Sequence, residues 1–203
     1  MNTTYPETEL CKIAFKYGTD KCPRIKHCYT PFYYDMLKNK RGSIKKVVEF
    51  GIGYYKNIQN ADIVYDKGLD RHYHKGASLK MWRDFFPIAQ VVGVDIRPET
   101  MFEDERIKTF VCDERKEQDM DQFLNQIGTD IDFVVDDASH RMDDQIFLAK
   151  TLLPKLNDAV IYVIEDVIHT KHIRSVLGDN YNYLVPQIPK KWRESMLLVI
   201  EKK

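Results

Sequence analysis

Unbroken apolar runs recur along the chain at 46–51 (KVVEFG), 90–95 (QVVGVD), 107–112 (IKTFVC), 131–137 (IDFVVDD) and 159–166 (AVIYVIED), each bounded by charged or turn residues. Runs of this length without strict alternation predict strands buried on both faces. Between them the apolar positions fall at helical spacing: Leu79, Trp82 and Phe86 within 77–86, a second stretch at 118–127, and Ile146, Phe147, Ala149, Leu152, Leu153 and Leu156 within 144–156. The βαβα alternation predicts an α/β, Rossmann-like, doubly wound and mostly parallel sheet. Near the end of the chain, 183–185 and 196–201 (MLLVIE) are about ten residues apart, with Pro186 and Pro189 between them. No crossover helix fits there, so an antiparallel C-terminal pair is expected.

Residues 1–45 carry an amphipathic stretch around 10–17, a turn at 18–20 and an aromatic cluster of Tyr29, Phe32, Tyr33 and Tyr34. They read as an N-terminal helical cap or lid on a domain spanning 46–203. The segment 54–75 has no clean period and many polar residues, and is expected to be a long loop.

Composition narrows the class. The chain has 203 residues, which suits one domain, and its 31 Lys+Arg against 31 Asp+Glu leave no global field to attract nucleic acid or an anionic membrane. The longest apolar stretch, 159–164, is far short of the roughly 20 residues that span a bilayer. The opening MNTTYPETELCK has neither the basic nor the apolar region of a secretory signal, so a cytoplasmic protein is expected. Cys11, Cys22, Cys28 and Cys112 read as reduced thiols, and Cys22, His27 and Cys28 lack the paired spacing of a zinc site.

Ligands of open α/β sheets bind beyond the C-terminal ends of the strands, and those ends are unusually acidic here. The first gives Glu49-Phe50-Gly51-Ile52-Gly53, where glycines permit a tight turn close to a ligand; Lys56 replaces the last glycine of a dinucleotide fingerprint, which argues against NAD. Asp95 ends the second strand, where a carboxylate can accept from both ribose hydroxyls, and Asp113 follows the third. Asp137 follows the fourth, with Glu165 and Asp166 after the fifth. Converging carboxylates repel and lose solvation unless a cation neutralises them, and an all-oxygen set suits Mg²⁺ or Mn²⁺. His140, three residues beyond Asp137, has the titration range of a general base for a metal-acidified hydroxyl. His72, His74 and His169 read as ordinary loop residues, and Trp82, Phe85 and Phe86 as core.

Together YGTDK (17–21), HCYTPFY (27–33), VVEFGIG (47–53), GASLKMWRDFFPIAQVVGVDI (76–96), DDASH (136–140) and YVIEDV (162–167) resemble the metal-dependent, S-adenosylmethionine-using sugar O-methyltransferases of the mycinamicin, rhamnosyl and cephalosporin hydroxylase-like kind. The resemblance implies a class I methyltransferase fold and methyl transfer to a hydroxyl of a rhamnose-like sugar. It implies cofactor contacts from Glu49, Gly51, Gly53, Ser78, Ile96 and Asp136, with Asp95 on the ribose and Asp113 near the adenine. Tyr17, Thr19, Asp20, Tyr29 and Thr30 match a segment that resembles a lid over the cofactor. Asp137, Glu165 and Asp166 match metal ligands, and His140 a general base. As partners it implies a sugar or glycan acceptor and glycosyltransferases of the same pathway, with no nucleic acid and no membrane; a homo-oligomer is compatible with the neutral surface. A catechol or small-diol acceptor, and a non-catalytic scaffold, are the competing readings.

Overall fold

A computed structural model describes residues 6–53, 63–189 and 196–203. Helix α1 (Glu9–Tyr17) begins at Thr8, whose hydroxyl accepts from the Cys11 amide at 3.2 Å, and ends at Gly18 with φ 75°. Helix α2 (Tyr29–Leu37) is built from the aromatic cluster. Then come β1 (Lys46–Phe50), β2 (Ile63–Asp66), β3 (Arg71–His74), α3 (Ala77–Phe85), β4 (Gln90–Asp95), β5 (Ile107–Val111), α4 (Glu117–Ile127) and β6 (Phe133–Asp136). The chain closes with α5 (Met142–Leu152), β7 (Ile161–Ile164), α6 (Thr170–Leu177), β8 (Tyr181–Leu184) and β9 (Leu198–Lys202).

Seven strands form one sheet in the order β5-β4-β1-β6-β7-β9-β8. The pairs from β5 through β7 are parallel, whereas β9 runs antiparallel to both β7 and β8. The expected antiparallel pair is therefore present, with β9 lying inside the sheet and β8 at its edge. Successive residues of a strand face opposite sides. Val47, Val91, Phe133 and Val163 accordingly pack with α1, α2 and α3, and Val48, Val92, Val134 and Ile164 with α4, α5 and α6. Burial on both faces explains the unbroken apolar runs. It also places Leu10, Tyr29, Tyr33 and Leu37 of the N-terminal segment in the same apolar cluster as β1 and β4.

The segment 54–75 departs from the expected loop. Residues 63–74 form the antiparallel hairpin β2–β3, with Tyr65 opposite His72 and the Arg71 guanidinium 3.1 Å from Asp66. Its strands are short, and Tyr73 is the residue whose ring is buried against the core cluster, so the sequence shows no alternation to read. Residues 54–62, including Lys56, lie outside the described residues. The hairpin seats on the α1 turn: a Cβ on Gly18 would come within 1.9 Å of the His72 carbonyl oxygen, and Arg71 donates to the Gly18 carbonyl at 2.6 Å. No helix among the described residues is long and apolar enough to cross a membrane.

Candidate functional site

Strand order reverses at β1, which has β4 on one side and β6 on the other, and the crevice opens at its C-terminal end. A cleft of about 670 Å³ lies there. Its first wall is the β1 turn. Gly51 has φ 79°, and a Cβ on it would lie 2.2 Å from the Asp137 carbonyl oxygen, so the β1 and β6 ends touch backbone to backbone and only glycine fits. Gly53, also at φ 79°, lines the same opening. Asp95 braces the turn from the next strand: one carboxylate oxygen accepts from the Ile52 amide at 3.2 Å and the other from the Arg97 amide at 3.0 Å.

Thr19, Glu49, Ser78 and Ile96 also line the cleft, whereas Tyr17, Tyr29, Thr30, Asp113 and Asp136 do not. Tyr17 hydrogen-bonds Asp84 at 2.7 Å, and the Thr30 hydroxyl donates to the Cys11 sulfur at 3.2 Å. Asp113 is held by the Arg115 guanidinium at 2.8 and 3.1 Å, so its neighbour Glu114 is the carboxylate facing the cleft from β5. Asp136 accepts from Tyr162 at 3.4 Å, and burial pushes its carboxyl up to about 7.

The acidic wall is built by the ends of β6 and β7. Asp137, His140 and Asp166 each offer an atom within 4.8 Å of the others. His140 Nε2 is 3.0 Å from one oxygen of Asp137, and its Nδ1 is 3.8 Å from Asp166. The Asp137 hydrogen bond raises the imidazole above its ordinary 6.5, outweighing burial. His140 and Asp166 carry φ values of 57° and 48°, left-handed conformations that non-glycine residues rarely hold without tertiary restraint. Part of that restraint is visible at Asp166, which accepts from the Tyr29 hydroxyl, with the ring of His27 stacked on Tyr29 and its Nε2 3.7 Å from Asp166.

Of the three expected metal ligands, Asp137 and Asp166 face the cleft with His140. Glu165 faces inward: one oxygen accepts from Lys21 at 2.6 Å and the other from Tyr33 at 2.6 Å. The second oxygen of Asp137 also accepts from Lys21, at 2.7 Å. Burial pushes Asp137 upward, but the Lys21 ammonium and His140 overcome it and hold the carboxyl at about 2. Glu49, 3.5 Å from Lys21, accepts from the Trp82 indole at 2.5 Å, and burial raises it above the usual carboxylate range. Sequence reasoning assigned no role to Lys21, Tyr33 or Glu114; Lys21 was visible only as the last letter of YGTDK.

The donor chemistry fits a cation. Glu49, Asp136, Glu165 and Asp166 are buried and Asp137 nearly so, while Lys21 is the buried basic side chain among the described residues besides His27. Carboxylates in such excess need further positive charge or protons. Two carboxylates and an imidazole at the mouth of the cleft suit a divalent metal, and a glycine cradle backed by a strand-end aspartate suits an adenosyl group. Among the described residues Cys22, His27 and Cys28 are not part of such a group, and the four cysteines are buried.

No protein-family profile matches the chain. A tetracenomycin-C rhamnosyl 3'-O-methyltransferase of Streptomyces olivaceus is 33% identical over 162 residues, 78% of this chain and 37% of that protein. The mycinamicin VI 2''-O-methyltransferase of Micromonospora griseorubida is 29% identical over 159 residues, 78% of this chain and 36% of that protein. The chain thus spans little more than a third of the length of these relatives. Among solved structures, the MycE methyltransferase of the mycinamycin pathway, in complex with Mg and SAH, matches 98% of this chain and 55% of its own, with a TM-score of 0.75 at 22% identity. The SAH-bound Podospora anserina methyltransferase PaMTH1 matches 97% of this chain and 88% of its own at 0.58 and 11%. These likenesses establish the fold as that of class I methyltransferases.

Proposed function

We propose that this chain, which is similar to the sugar O-methyltransferases, moves a methyl group from S-adenosylmethionine to a hydroxyl of a rhamnose-like sugar with the help of a divalent cation. The observation that carries the reading is the convergence of Asp137, His140 and Asp166 beside the glycine turn of β1, in one cleft. The sulfonium supplies an already activated methyl, and the cation lowers the pKa of the hydroxyl it holds. What remains for the protein is to orient the partners, exclude water and accept a proton.

Gly51 and Gly53 let backbone approach the cofactor, and Asp95 stands where the ribose hydroxyls would meet it. Asp137 and Asp166 would hold the cation. With Nε2–H donating to Asp137, the lone pair of a neutral His140 lies on Nδ1, on the Asp166 side, and that atom takes the proton of the accepting hydroxyl. Thr19, Asp20, Lys26, Arg71 and Ser139 offer hydrogen-bonding groups to sugar hydroxyls along the described part of the cleft, beside the apolar Ile52, Tyr73 and Ile96.

The test is methyl transfer from S-adenosylmethionine to rhamnosides with Mg²⁺ or Mn²⁺, against EDTA and against catechol. Turnover on rhamnosides that EDTA abolishes is the expected result. Catechol methylated in preference to every glycoside overturns the acceptor class, and full turnover in EDTA overturns the role of the cation.

A further inference from the structure

Lys21 runs from the turn after α1 into the centre of the acidic wall. Its backbone is fixed on both sides: its amide reaches the Thr19 hydroxyl at 3.5 Å, and its carbonyl accepts from the amides of Tyr29 and Thr30 at 3.2 Å each. The side chain is only 1% exposed, and its ammonium lies 2.6 Å from Glu165, 2.7 Å from Asp137 and 3.5 Å from Glu49. Two of its N–H donors hydrogen-bond Asp137 and Glu165, from the ends of β6 and β7, while Oε1 of Glu49 on β1 stands in ion-pair range without a hydrogen bond. Glu165 has no oxygen left over, because Tyr33 donates to the other one; Asp137 keeps one oxygen, and it faces His140.

We propose that Lys21 is the positioning residue of this site, an internal counter-ion that claims Glu165 and half of Asp137 and so leaves the free oxygen of Asp137 and Asp166, beside His140, as the carboxylates offered to a cation. The inference rests on the reading of that pair as a cation site. Without Lys21, Asp137 and Glu165 would be like charges pressed together out of water. With it, the wall holds its shape before any cation arrives, and an arriving cation meets one ammonium that opposes it.

The experiment measures Mn²⁺ affinity by calorimetry at pH 8.5, and thermal denaturation with and without Mn²⁺, in the wild type, Lys21→Met and the double variant Lys21→Met/Glu165→Gln. Lys21→Met is expected to melt lower than wild type without metal, because a buried charge has lost its partner. It should also bind Mn²⁺ about tenfold more tightly and gain several degrees more from it, because the opposing charge is gone. The double variant, in which both charges are absent, should recover most of the melting temperature and bind Mn²⁺ within about threefold of wild type.

A lysine that only fills space would lower the melting temperature equally with and without Mn²⁺, and an unchanged or weakened affinity in Lys21→Met overturns the proposal. So does a double variant that folds but loses Mn²⁺ binding, since Glu165 would then be a ligand in its own right; this variant decides the matter if Lys21→Met does not fold. A wild type that binds no Mn²⁺ removes the cation reading itself, whereas a wild type that binds while Lys21→Met is no tighter removes this inference alone.

Discussion

At the scale of single residues, His140 and Gly51 bear opposite relations to the proposed function. His140 is 42% exposed in its side chain and contributes little packing, so His140→Ala should leave the fold and the affinity for S-adenosylhomocysteine nearly unchanged. Its kcat should fall about 10²–10⁴-fold, the usual contribution of a positioned base. Steady-state kinetics beside calorimetry separates the two effects, and a variant that loses cofactor affinity with kcat intact contradicts the role. Gly51 has no proton to move, yet a Cβ there collides with the Asp137 backbone at a φ of 79°. Gly51→Ala should cost about 1–3 kcal/mol of stability and weaken cofactor binding, as denaturant titration and calorimetry would record. Both residues were legible in the sequence, one from its place after an acidic strand end and the other as a glycine in a strand-end turn. Lys21 was not, because an isolated lysine reads as a surface residue and nothing local announces that three strand ends will close around it.

Among the elements, α1 and α3 are clasped by a charged network. Asp84 accepts from Tyr17 at 2.7 Å, Lys16 at 3.1 Å and Arg83 at 2.8 and 3.0 Å. Burial raises the Asp84 carboxyl, and the hydrogen bonds from Tyr17, Arg83 and Lys16 outweigh it, leaving the group below its ordinary 3.8. A carboxyl depressed in the folded state adds stability that is complete above its unfolded value and vanishes as pH falls through its folded one. Asp84→Asn should therefore lower stability by about 1 kcal/mol at neutral pH and flatten the loss below about pH 4, measured by urea titration across pH. The strands that frame this region were legible because burial on both faces writes an unbroken apolar run. Helix α2 lies in the segment read as a helical cap, but its bounds were not legible, since Tyr29, Thr30, Pro31 and Tyr33 are all buried and leave no polar face at regular spacing. Helix α6, only eight residues long, and the short β2–β3 hairpin leave too few positions for a period to be read.

For the molecule as a whole, the acidic strand ends gather charge that folding alone does not balance. Ligands that bind only the native state should therefore stabilise it strongly. At a hundredfold excess over its dissociation constant, a cofactor product adds about 2.7 kcal/mol, which for a chain of this size is a rise of about 5–10 °C in melting temperature. The parallel sheet and the neighbourhood of the glycine turn with the acidic loops followed from the βαβα rhythm, because parallel connections bring strand ends to one edge. The division of the carboxylates between Lys21 and the cleft did not, because it depends on side-chain direction at the ends of β6 and β7, which strand patterns do not encode.

The claim on which the rest depends is that the cleft beyond β1 holds an adenosyl cofactor. Calorimetric titration of the folded protein with S-adenosylhomocysteine, with NAD as control, tests it most directly. The account predicts one site per chain for the adenosyl compound, weakened in Gly51→Ala, and no heat from NAD; folded protein that binds neither S-adenosylhomocysteine nor S-adenosylmethionine would contradict it.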